Sequence, residues 1–410
     1  MKMSHGQNGD FGVREKVYIM RCKMKRIARY FKPAMAVAAA ALLAACDLPA
    51  IGAIGGGPSI DPRKPVPVAM LLPKSDAAAS VAADLERAAR MAMTDLNGVQ
   101  IDLRVYDTGG QPATAAAQAQ KAVDAGAKII LGPLYQESAN AVGLAVLDEG
   151  INVLTFSNST AIAGGNVFVL GNTFENTADR LMGYARKRGH KSVVVVHAKD
   201  IPGQVGRDAI AKAALNKGIN VASVHGYALT AEGVDATARA AARAAQSTGA
   251  NSVFLTTPSQ NAAMPLLLQV MPEAGLNVPS QNVIGLGRLD VRPDLLSLPG
   301  ANGAWFALPD QSKQQAFNSR FQSTYGAAAH PLASLGYDGI AAIGALVQSR
   351  KSNALTARSL TQNSGFQGAG GVFRLREDGT NQRAISVAGV QNKQVVILEP
   401  APNRFGGAGF

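Results

Sequence analysis

Two short stretches gather side chains able to hold a small molecule: Gly132-Pro133-Leu134-Tyr135-Gln136-Glu137-Ser138 and Ser157-Asn158-Ser159. Each follows an apolar run, so a phenol, hydroxyls, amides and one carboxylate fall in neighbouring loops, where they can grip the polar head of a ligand by hydrogen bonds. Taken singly, Ser and Asn at such places cap helices and turns; only their convergence suggests a site. Catalysis asks for more than this. The chain has no G-x-S-x-G turn, no H-E-x-x-H helix and no phosphate-cradling G-x-x-x-x-G-K-[ST] loop. His190, His197, His225 and His330 are scattered, and the only two cysteines, Cys22 and Cys46, can build neither a disulfide framework nor a cysteine-based metal site. Gly285-Leu286-Gly287-Arg288-Leu289-Asp290 begins like a dinucleotide fingerprint, but Asp290 stands where the third glycine belongs. The expectation is a binding protein with no catalytic residue, no cofactor and no metal.

Loops of this kind need rigid elements to position them, and the apolar pattern supplies these. Val66–Leu72, Ile101–Tyr106, Lys128–Leu131, Asn152–Phe156 and Val167–Leu170 read as strands. Between the first two, Val81, Leu85, Ala88, Ala92 and Leu96 recur every three or four residues, which predicts a helix that Ser75 or Asp76 can cap. A second helix runs from Pro112 through Ala125 to a stop at Gly126, and a third starts near Ser138. Strands alternating with helices predict a parallel sheet covered on both faces. After Asn172 the rhythm restarts. Helices are expected at Thr177–Arg188, Asp208–Asn216 and Arg239–Gln246, and strands at Val193–Val196, Val221–Tyr227, Val253–Thr256 and Val283–Leu286. Gly303–Leu308 follows as a strand, Gln311–Tyr325 and Leu332–Arg350 as helices, and Gly370–Leu398 as a hairpin turning at Asp378-Gly379 and Gln391-Asn392. Ala122–Pro133 and Ala244–Pro258 both pass from helix through Gly-Ala into a strand ending at proline, an echo that points to two similar lobes.

The charge of +12 is concentrated at one end. Residues 1–45 hold nine basic and two acidic side chains, which leaves 31 basic and 26 acidic ones, a net of +5, for the remainder. That balance, without an aromatic-interleaved basic stripe, argues against nucleic-acid binding. Lys25, Arg26, Arg29 and Lys32 precede an apolar run from Ala34 to Ala45 that is too short to span a bilayer, which needs about 20 apolar residues. This is the layout of an export signal. Leu43-Ala44-Ala45-Cys46 resembles the lipobox of bacterial lipoproteins, which implies that Cys46 is acylated and tethers an exported, periplasmic chain to a membrane. Asp47–Pro67, rich in glycine and proline, reads as a flexible leash.

The ordered pieces DLERAARMAMTDLNG, YDTGGQPATAAAQAQKAVDAGAKIILGPL, LDEGINVLTFSNS, LGYDGIAAIGALV and GFQGAGGVFRLREDG resemble the type I periplasmic binding proteins of the Leu/Ile/Val-binding group, from Pro67 to about Leu398. The resemblance implies two doubly wound parallel-sheet lobes with an interlobe cleft for a small polar ligand, joined by three crossovers near Asn172, Pro299–Gly303 and Phe366. Expected boundaries are a signal peptide at 1–45, a tether at 46–66, a first lobe of 67–171 plus 303–366, a second of 172–302 plus 367–400, and a frayed tail at 401–410. The family's ligand loops fall on Tyr135, Gln136, Glu137, Ser138, Ser157, Asn158 and Ser159 in the first lobe. In the second lobe they fall on Asp200, Gly203, Thr257 and Ser259. YDTGG, ILGPLY and TFSNS, with the lipobox, look most like the penicillin-binding protein activators, non-catalytic lipoproteins that regulate peptidoglycan synthases. The leading expectation is therefore such a regulator with a synthase as partner. The alternative is the solute-binding component of an ABC importer for amino acids or similar molecules, with a permease as partner.

Overall fold

The computed structural model describes residues 57–406. The expected signal peptide, Cys46, most of the leash and the end of the tail lie outside them.

The first half of the chain alternates as the apolar spacing requires. It runs β1 (Val66–Leu72), α1 (Ala79–Met93), β2 (Ile101–Asp107), α2 (Pro112–Asp124), β3 (Ile129–Leu131), α3 (Gln136–Ala145), β4 (Val153–Thr155) and β5 (Val167–Val169). The five strands form one parallel sheet in the order β2-β1-β3-β4-β5. Because side chains of a strand alternate between faces, Val68, Met70 and Leu72 of β1 join one core, while Ala69 and Leu71 join another beneath α2 and α3.

The second lobe repeats this design with α4 (Phe174–Lys187), β6 (Ser192–Ala198), α5 (Ile201–Asn216), β7 (Asn220–Tyr227), α6 (Ala231–Thr248), β8 (Ser252–Leu255), α7 (Ala263–Glu273), β9 (Asn282–Gly285) and β10 (Trp305–Leu308). Its strand order β7-β6-β8-β9-β10 matches that of the first lobe. The echoed stretches at 122–133 and 244–258 therefore occupy the same place, the helix and strand that cross to the third position of each sheet. The four valines of β6 are fully buried, Val194 and Val196 toward α6 and α7, Val193 and Val195 toward α4 and α5. Helices α5 and α6 start earlier than Asp208 and Arg239. Asp200 and Thr230 accept hydrogen bonds from the N–H groups of Gly203 and Gly233, capping the helices where early glycines hide the apolar period.

The chain then returns to the first lobe with α8 (Gln311–Tyr325), α9 (Ala333–Gln348) and α10 (Ala357–Leu360). Helix α9 lies so close to α1 that a Cβ on Gly336 would stand 2.1 Å from the Leu85 carbonyl oxygen. Three short antiparallel strands follow, β11 (Phe366–Gly368), β12 (Gly371–Leu375) and β13 (Asn381–Arg383), before β14 (Ser386–Gln391) and β15 (Gln394–Glu399) extend the second sheet beyond β10. The expected Asp378-Gly379 turn joins β12 to β13. The last turn is shifted by one residue, with Asn392 and Lys393 at φ 51° and 61°.

Two crossovers lie further along the chain than expected. Trp305–Leu308 is buried between β9 and β14, so β10 completes the second sheet and the second crossing falls at Pro309-Asp310. Phe366, Phe373 and Leu375 are buried in the first lobe's core, so the third crossing falls at Ala384-Ile385 instead of Phe366.

Candidate functional site

All strands of the first sheet run parallel, so the loops after β1 to β4 emerge at one edge, the edge at which open α/β sheets bind ligands. Gly132, just after β3, has φ +95°, and a Cβ there would lie 2.2 Å from the Leu71 carbonyl oxygen, so only glycine lets the loop leave the sheet. The Pro133 carbonyl accepts from Phe156 N–H at 3.0 Å and from Thr155 Oγ1 at 2.8 Å. The Thr155 hydroxyl in turn accepts from Ser157 N–H at 3.1 Å. These bonds fix the loops after β3 and β4 against each other. The Ser157 oxygen accepts from Ser159 N–H at 3.1 Å, which leaves its own O–H to donate elsewhere.

A cavity of about 460 Å³ opens beside these loops. Its first-lobe wall includes Leu134, Tyr135, Phe156, Ser157 and Asn158, with Gln314 of α8 and the Pro331–Leu335 segment that opens α9. Its remaining wall is Gly370 to Val372 at the start of β12 together with all three crossovers: Gly171-Asn172, Pro309, and Arg383 to Ile385. Tyr135 donates its phenol proton to Asp76 Oδ2 at 2.9 Å, and burial, then the Asp76 charge, raises its pKa above the ordinary value. Among the described residues the only charged side chain of the lining, Arg383, is already engaged. Its Nη1 donates to Asp338 Oδ2 at 2.6 Å and its Nε to the Leu170 carbonyl at 2.9 Å.

The structure brings Tyr135, Ser157 and Asn158 to the cavity. The other candidates stand apart. Gln136 and Glu137 occupy the exposed first turn of α3, where the Gln136 amide donates to Glu137 Oε1. Ser138 is buried with no partner for its hydroxyl among the described residues, and Ser159 is half-buried outside the lining. In the second lobe, the four expected ligand residues are committed to the fold. Asp200 caps α5, and Gly203 packs so tightly that a Cβ would lie 2.3 Å from the Ala198 carbonyl oxygen. Thr257 shares a hydrogen bond with Tyr227 Oη at 2.7 Å, both residues being buried, and Ser259 donates to the Arg288 carbonyl. None of the four lines the cavity.

Solved structures share this architecture. A periplasmic ligand-binding protein of a branched-chain amino acid ABC transporter from Burkholderia xenovorans superposes with a TM-score of 0.63 at 17% identity, over 82% of this chain and 96% of that one. An ABC transporter substrate-binding protein from Desulfitobacterium hafniense, in complex with Leu, gives 0.59 at 18% identity over 82% and 100%. A solute-binding protein from R. palustris in complex with benzoate gives 0.52 at 18% identity over 85% and 99%. In sequence, an uncharacterized protein of Rickettsia prowazekii is 28% identical over 122 residues, 30% of this chain and 33% of that relative. The family model described as periplasmic binding protein matches residues 65–394, and the chain belongs to that family.

Proposed function

We propose that this chain is the solute-binding component of an ABC importer, exported and held at a membrane through an acylated Cys46, with its ligand seated against Tyr135, Ser157 and Asn158. The observation that carries this reading is the cavity that the first lobe's strand-end loops build jointly with all three crossovers. A ligand there touches every segment whose bending would swing the second lobe, so binding and lobe closure draw on one free energy. With its single charge engaged, the lining suits a small, partly apolar solute held by hydrogen bonds from Ser157, Asn158, Asn172 and Gln314 against Phe156, Leu335 and Val372.

Ile201, Val205, Leu229 and Val291 follow strands β6, β7 and β9 and are 78%, 43%, 57% and 43% exposed. Covering them on closure would add favourable apolar burial. These exposed apolar side chains favour a second reading, regulation of a peptidoglycan synthase that docks on them.

The test is thermal denaturation of the full chain with amino acids, aromatic carboxylates and cell-wall peptides. A ligand at 100 times its Kd stabilises by about 2.7 kcal/mol. Ser157→Ala should weaken a hit about five-fold, the worth of one hydrogen bond near 1 kcal/mol. Silence across the panel from a folded protein sinks the importer reading, and capture of a purified synthase in that case supports the second. Cys46→Ser should abolish membrane attachment; normal attachment refutes the anchor.

A further inference from the structure

A second groove starts at the third crossover. Two cavities of about 280 and 870 Å³ share Asn176, Asp179, Lys217 and Gln382 and so form one continuous channel. One wall is α4 and α5 of the second lobe. The other is the β12–β13 turn with Thr160, which belongs to the first lobe: Val169 N–H donates to the Gly379 carbonyl at 2.8 Å.

The channel is basic. Its lining holds eight Lys or Arg and four Asp or Glu, an excess of four, whereas residues 57–406 as a whole, with 31 basic and 25 acidic side chains, have an excess of only six. The four carboxylates are occupied. Asp179 pairs with Lys217, and Glu399 pairs with Arg180 and Lys187. Glu175 accepts from Thr160 Oγ1 at 2.7 Å, and Asp378 accepts from Thr380 while its charge also faces Arg376 and Lys212. Among the described residues Arg186, Lys212, Arg374 and Arg376 have no carboxylate within ion-pair distance. Burial, and after it the neighbouring Arg376 charge, hold the Arg374 pKa below its ordinary value.

We propose that this groove is a binding site for a small polyanion, bearing at least two phosphate or carboxylate groups, that bridges Lys212 on the second lobe and Arg376 on the first. Such a ligand accepts charge-assisted hydrogen bonds from both cations, and by touching both walls it ties the lobes together.

Calorimetric titration of the full chain with inorganic pyrophosphate and with citrate, at low salt, tests this. At least one anion should bind with Kd below about 1 mM and weaken as salt rises, as screening requires; which of the two binds identifies phosphate or carboxylate as the preferred group. Among the described residues neither Lys212 Nζ nor the Arg376 guanidinium makes a hydrogen bond, so Lys212→Ala and Arg376→Ala should leave the fold intact. Each should weaken binding at least five-fold. Absence of binding by both anions, or unchanged affinity in the double variant, overturns the site. Loss in only one single variant overturns the bridge between lobes.

Discussion

Replacing Arg383 with methionine should be among the most damaging single changes in this protein, for a reason that can be worked through atom by atom. The Arg383 guanidinium holds Asp338 Oδ2 at 2.6 Å and the Leu170 carbonyl through two nitrogens, and it stacks over Phe373 at 4.8 Å. Asp338 Oδ1 accepts from Ala369 N–H at 2.7 Å. One ion pair therefore ties α9 and β11 to the first and third crossovers. An exposed pair is worth about 0–1 kcal/mol, but the side chains here are 10% and 1% exposed, which decides for the buried case. Arg383→Met strands a carboxylate in the core and should cost about 3–5 kcal/mol, between two and four powers of ten in the folding equilibrium. Asp338→Leu added to Arg383→Met removes the stranded charge and should recover most of the loss, because a buried pair is opposed by the desolvation of both ions. Urea unfolding read by Trp305 fluorescence and by far-ultraviolet circular dichroism measures this. Trp305, the only tryptophan, is buried against Tyr184 and His190 in the second lobe, whereas dichroism reads both lobes. Coincident curves in the wild type that separate in Arg383→Met would show that the pair also couples the lobes. A loss below 1 kcal/mol, or a double variant as unstable as the sum of its singles, would refute the reasoning.

Thr257→Val should cost about 1–3 kcal/mol, because it leaves the buried Tyr227 hydroxyl without its 2.7 Å partner. It should leave ligand affinity within two-fold, and a large affinity loss at wild-type stability would return Thr257 to the binding site. Burial, then Arg188, holds the His190 imidazole below its ordinary pKa, so the folded state disfavours its protonated form. The stability this contributes is complete above about pH 6.5 and is lost as pH falls toward the folded-state value. The melting temperature should therefore drop from pH 7 to pH 5, and less so in His190→Phe, which keeps a ring against Trp305. His225, also held low by burial, sets the residual slope. Equal slopes in the two proteins would exclude His190 as the source.

What was legible in the sequence divides along the range of the forces involved. Strand and helix identity is local, and four consecutive valines or a Leu85-Ala88-Ala92 stripe states it directly. The sheet to which a strand belongs is not local. Trp305–Leu308 reads as a strand from its apolar residues, but only pairing with β14, some eighty residues later, assigns it to the second lobe. The site shows the same division. Tyr135, Ser157 and Asn158 reach the cavity because they sit in loops at the strand ends of a parallel sheet, whereas Gln136 and Glu137 stay outside its lining because successive side chains of a helix point about 100° apart, at 3.6 residues per turn. Thr257 and Ser259 lie outside the lining and hydrogen-bond to Tyr227 and Arg288, partners about thirty residues away. For the most consequential omission a signal was present. Asp338 is the one charge in the otherwise apolar Ala333–Val347 stretch, and charged residues are almost never fully buried unless paired. A buried carboxylate on that helix required a cation from elsewhere in the chain, and that cation, Arg383, marks the crossover at which the cavity is built.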